Sequence, residues 1–194
     1  IERANAVQAV TPLDRRDLRG WHFVVTGTLL LHLSPHGRDE GMNGRYAYTN
    51  DSEVNCLEAI RRMHAVLAEL ELAPPRVFTL AERASAILAD AAGQVLGVPV
   101  EPWPEHGGRS PGLIVAYDLD ALDTPVLQTL RMHDTGQVLW AHASCWTGEQ
   151  PFAVDCTTYL HQFNTSPWGK HLAVDPTTGE AKEQSVVIVA GGGT

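Results

Sequence analysis

The sequence is short of basic residues, has few cysteines, and holds no apolar run long enough to cross a bilayer. Its 14 Lys and Arg stand against 23 Asp and Glu, giving a formal net charge of −9, and the basic residues do not cluster. Nucleic acid and anionic membrane surfaces both need a basic patch, so neither is expected as a partner, and an anionic small molecule would need a local cationic pocket. Cys56, Cys145 and Cys156 are an odd set without paired spacing. That excludes a disulfide framework and points to a reducing compartment, the cytoplasm. No stretch reaches the ~18 apolar residues of a spanning helix. Internal repeats and low-complexity tracts are absent too.

What is there is enough to fold. With 194 residues and 44% hydrophobic content, a single α/β domain over 1–194 can bury a full core. Trp21 to Leu33 is nearly unbroken in apolar and β-branched residues, the mark of a central parallel strand. A polar loop then runs from Ser34 to Asp51. Ser52 and Glu53 open a helix with Val54, Leu57, Ile60, His64, Leu67 and Leu70 at helical spacing, closed by Pro74-Pro75. Arg76 to Leu80 reads as a short strand and the segment through Leu96 as a second helix, with Gly97 at its end. Val98 to Trp103 is extended, Leu113 to Tyr117 a buried strand, Ala121 to Met132 a short helix and Gln137 to Ala143 a strand. Asp155 is suited to cap a helix through Asn164, and Asp175-Pro176-Thr177-Thr178-Gly179 is a turn in a closing hairpin. This alternation predicts a three-layer sandwich: a mostly parallel central sheet, helices on both faces, and a C-terminal β-hairpin.

Ligands of such sheets bind beyond the carboxyl ends of the strands. Three loops are singled out: Ser34 to Tyr48, Asp118 to Thr124, and Ser144 to Pro151. The first holds His36, Arg38, Asp39 and Glu40, either a nucleophile position or a solvated turn punctuated by Pro35 and Gly37. Pro35 bars a helix there, so His32 and His36 do not share a face as metal ligands would. His142 ends the Gln137 strand, and Cys145 is a second nucleophile candidate with His142 or His161 as base. Asp118 and Asp120 resemble a magnesium- or ribose-contacting pair, as in a nucleotide or phosphoribosyl-type enzyme, though helix capping explains them as well. Asn50-Asp51-Ser52 and Asn164-Thr165-Ser166 fit a glycosylation sequon that nothing else supports.

Taken in order, these pieces resemble the histidine phosphatase (phosphoglycerate mutase-like) superfamily. An apolar strand runs into Ser34-Pro35-His36-Gly37, then Asn43-Gly44-Arg45 and a helix; Arg83-Ala84 opens the next helix, which ends in Leu96-Gly97-Val98-Pro99; a late strand ends in His142. The resemblance implies a small phosphomonoester as substrate and a phosphohistidine intermediate, with His36 as nucleophile, Glu105 as proton donor, and Arg83 and His142 on the phosphate. It implies no metal and no other cofactor. Pro35 replaces the family's first phosphate-binding Arg, so Arg38 or Arg45 would have to serve. The same departure motivates the alternative of a degenerate module that binds phospholigands without turnover.

Overall fold

Leu18–Thr26, expected as the start of a strand, is a helix (α2) in the computed structural model, which describes residues 1–31, 45–148, 152–174 and 181–185. Asp17 caps its start by accepting the Gly20 amide, and Gly27 ends it in the left-handed conformation at φ 84°. Glycine adopts that conformation without the Cβ clash that penalises other residues. Among the described residues of the long apolar run, only Leu29–Leu30 (β1) is a strand. A short helix, Glu2–Gln8 (α1), lies against α2, with Arg3 Nη1 donating to the Phe23 and Val24 carbonyls.

The remaining elements alternate. They are Arg45–Asn50 (β2), Glu53–Glu69 (α3), Val77–Thr79 (β3), Arg83–Leu96 (α4), Val100–Pro102 (β4), Gly112–Asp118 (β5), a 3-10 turn at Leu119–Ala121, Thr124–Leu130 (α5), Gln137–Cys145 (β6), Cys156–Thr165 (β7), Lys170–Val174 (β8) and Ala181–Ser185 (β9). Seven strands form a parallel sheet in the order β1-β7-β6-β5-β3-β4, with β2 continuing along β7 beyond β1. β8 and β9 pair antiparallel, so the closing hairpin is present.

Cys156–Thr165 corrects a second expectation. The stretch Cys156-Thr157-Thr158-Tyr159 is β-branched and aromatic, side chains that suit a pleated, buried surface better than a helix. Asp155 caps no helix. Its Oδ2 accepts the Leu139 amide at 2.8 Å and lies 3.0 Å from His133 Nε2.

β5 is buried along its whole length, as a strand covered on both faces must be. Leu113, Val115 and Tyr117 pack with α3 and α4, alongside Met63, Leu88 and Trp140. Ile114 and Ala116 pack with Leu130 and Leu139 on the α5 side. The sheet is therefore the middle of three layers. No helix among the described residues is long and apolar enough to cross a membrane.

Candidate functional site

β3 feeds α4 on one face of the sheet, whereas β5, its neighbour, feeds α5 on the other. Chains that leave adjacent parallel strands in opposite directions open a crevice at the carboxyl ends, where ligands of such sheets bind. β5 outruns β3 there, since their pairing ends at Thr79 and Val115. The Tyr117 amide is met instead by Ser85 Oγ at 2.8 Å, and that hydroxyl donates to Glu82 Oε2. Glu82 also accepts the Ala84 and Ser85 amides, so the first turn of α4 is capped by the chain's own carboxylate.

Strand alternation sorts the polar residues into two clusters. Asp118 continues the α5 side of β5. Its Oδ1 accepts the Asp120 amide at 3.1 Å, and its Oδ2 lies 2.8 Å from His161 Nε2 on β7. His161 is 4% exposed, and among the described residues neither ring nitrogen makes an aligned hydrogen bond. Cys145, in register with His161, receives the Gly148 amide on its sulfur at 3.3 Å. Asp120 is exposed at the rim, and partial burial together with the neighbouring Asp118 charge raises its pKa. On β2, Arg45 is in register with Leu160, and its guanidinium lies 4.5 Å over the Trp146 ring.

The second cluster faces α3. His142 is wholly buried, and its Nε2 lies 2.9 Å from Asp51 Oδ2. The same oxygen accepts Tyr117 Oη at 2.8 Å and Cys56 Sγ at 3.2 Å. Burial alone would raise the Asp51 pKa, but His142, Tyr117 and Cys56 outweigh it and bring the carboxyl down to about 2. Burial and the Asp51 charge push the Cys56 thiol well up, keeping it protonated.

The residues singled out in the sequence are dispersed. His36 and Arg38 lie outside the described residues. His142 is sealed in the core rather than placed at the sheet edge. Arg83 is exposed at the start of α4, beside the Glu82 carboxylate, whose charge opposes a phosphate there. Glu105 borders a depression with Gln128, Met132 and Asp134, on the approach to the amino end of β6. Arg45 lies on β2, one strand beyond His161, in register with Leu160. His161 was considered only as a base for Cys145, and Asp51 only as part of a sequon; the sheet brings Asp118 of β5 to His161 and places His142 of β6 against Asp51 ahead of α3.

No protein-family model matches the chain, and no curated protein does. Among solved structures it is similar to a purine phosphoribosyltransferase from Pyrococcus horikoshii Ot3, at 16% identity and a TM-score of 0.48, over 67% of this chain and 98% of that one. The histidine phosphatase expectation, both the phosphohistidine hydrolase and its degenerate phospholigand-binding variant, is corrected on physical grounds: among the described residues a buried His142, an Arg83 next to a capping carboxylate and a Glu105 at another edge build no common anion pocket.

Proposed function

We propose that the chain binds a phosphorylated ribose-type ligand, a nucleotide or a phosphoribosyl donor, together with a divalent cation at the carboxyl ends of β5, β6 and β7, and that its chemistry is of the phosphoribosyl class. The observation that carries this reading is Asp118 at the end of the fully buried β5, its Oδ2 2.8 Å from Nε2 of His161, a buried imidazole that makes no aligned hydrogen bond among the described residues. A buried imidazole left in that state marks a place where a ligand completes the bonding.

The donor types fit the cation. Magnesium takes one or two carboxylates, keeps several waters and completes its shell with substrate oxygens, and Asp118 and Asp120 offer one recessed and one exposed carboxylate. Bound there, the cation would neutralise phosphate charge. The chain's own groups do the rest: Asp118 and Asp120 orient the ribose end, Arg45 faces the phosphate with a planar cationic fork, and His161 fixes the Asp118 carboxylate. The overall negative charge is no obstacle, because an arginine and a cation set the local potential.

The test is thermal denaturation of the purified chain with ribose 5-phosphate, purine nucleotides or 5-phosphoribosyl 1-diphosphate, each with and without magnesium. At a ligand concentration 100-fold above Kd the gain is ~2.7 kcal/mol, a rise in Tm of roughly 5–10 °C for a chain of this size. The shift is expected only with magnesium present, and Asp118→Asn abolishes it. Indifference of the wild-type melting temperature to all of these ligands would sink the reading.

A further inference from the structure

We propose that Asp51, Cys56 and His142 form a buried site for a zinc-class divalent cation, with the Tyr117 hydroxyl, 2.8 Å from Asp51 Oδ2, as the candidate for a fourth position. The three ligand atoms come from separate places in the chain: the residue between β2 and α3, the first turn of α3, and the middle of β6. Their separations are 2.9 Å from Nε2 to Oδ2, 3.2 Å from Sγ to Oδ2 and 3.7 Å from Sγ to Nε2. A triangle of those sides has a point about 1.9 Å from each corner. Raised slightly out of the plane, that point reaches the ~2.0–2.3 Å bonds that zinc makes to nitrogen, oxygen and sulfur. Small side-chain adjustments that widen the Nε2–Oδ2 separation would bring the three ligand atoms toward tetrahedral spacing.

Charge and hydrogen bonding point the same way. One carboxylate and one thiolate cancel a dication, so the loaded site is neutral in a core that does not tolerate net charge. Without an ion, Oδ2 of Asp51 serves three donors, Tyr117, Cys56 and His142, while Oδ1 takes the Ser52 amide. Two oxygens offer about four acceptor sites, two apiece, so Oδ2 is oversubscribed as a pure acceptor. A ring nitrogen, a thiol and a carboxylate are the donors of zinc and its neighbours rather than of magnesium or calcium. The His142 ring is fixed by Tyr117, Trp140 and Tyr159 around it, with centroids 5.1–6.0 Å away. Asp51, Cys56 and His142 are 7%, 3% and 0% exposed, the closed setting of a structural ion.

Binding forms metal bonds to Sγ, Nε2 and Oδ2. Cys56 releases its thiol proton to solvent, and the proton on His142 Nε2 is exchanged for one on Nδ1, so that the ring stays neutral with its single proton on Nδ1 and one proton is released per ion. The experiment strips the wild-type chain with a chelator and titrates it with zinc, then with cobalt as a reporter. One equivalent is expected, with proton release, a rise in melting temperature and a thiolate-to-cobalt absorption band. Cys56→Ser removes the band, whereas Cys156→Ser keeps it. Because Cys56→Ser risks misfolding, the cadmium-113 resonance of the loaded wild type gives an independent reading, expected in the range of mixed nitrogen, oxygen and sulfur ligation. A wild type that retains no zinc and shows no cobalt band, a band that survives in folded Cys56→Ser, or an all-oxygen cadmium resonance would each overturn the proposal.

Discussion

Ser85 holds the crevice together with one hydroxyl. It is fully buried, accepts the Tyr117 amide where β3 has already ended, and passes its own proton to Glu82. Ser85→Ala orphans a buried amide and one carboxylate contact. The expected cost is about 1–3 kcal/mol, seen as a lower denaturant midpoint with an unchanged m-value. At this scale the sequence was informative in a particular way. Asp118 and Asp120 stood out because they follow a wholly apolar strand; of the readings considered for Asp118 the capping one is seen, through Oδ1, while its contact with His161 through Oδ2 was not anticipated. Asp51 and Cys56 were invisible, since a helix-start carboxylate and a core thiol are ordinary until His142 arrives from a strand 86 residues after Cys56.

Among the elements, α3, α4, β5 and β6 were legible because their periods are pure: helical spacing in two, continuous burial in the others. α2 and β7 were misread for opposite reasons. The run from Trp21 to Leu33 hides a helix and a strand separated only by Gly27 and Thr28, and an apolar run by itself does not fix a period. β7 was taken for a helix because Asp155 resembles a cap. In the fold Asp155 clamps elements instead, joining the turn after α5 to β6 and β7 through His133 and the Leu139 amide. The Asp155 hydrogen bond raises the His133 pKa against the opposing effect of burial. Burial would raise the Asp155 pKa, but His133 and the Leu139 amide lower it. The clamp therefore contributes fully between the ordinary carboxylate and histidine values, about 3.9 and 6.5. It fades as pH rises through the raised His133 pKa, and again as pH falls through the depressed Asp155 pKa. Melting curves from about pH 6 to 8 should show wild-type stability declining where His133 deprotonates and a flatter profile in Asp155→Asn.

For the whole molecule, the parallel sheet was foreseeable from alternation, but the order of its strands was not, because no local signal says that β1 and β2 share one neighbour. Both lie on β7, with Leu29 opposite Cys156 and Asn50 opposite Thr165. The Leu29 amide donates to Asp155 and the Leu31 amide to Thr157. Contacts that close such long loops form late, after local helices and neighbouring strands. Pulse-labelled hydrogen exchange during refolding should protect α3, α4 and β5 amides before those of Leu29 and Leu31; simultaneous protection would contradict this order. On a ribosome the consequence is one of timing. β1 has to wait for its β7 partner until the last strand of its sheet has been synthesised, so the segment that carries β1 needs shielding in the nascent chain.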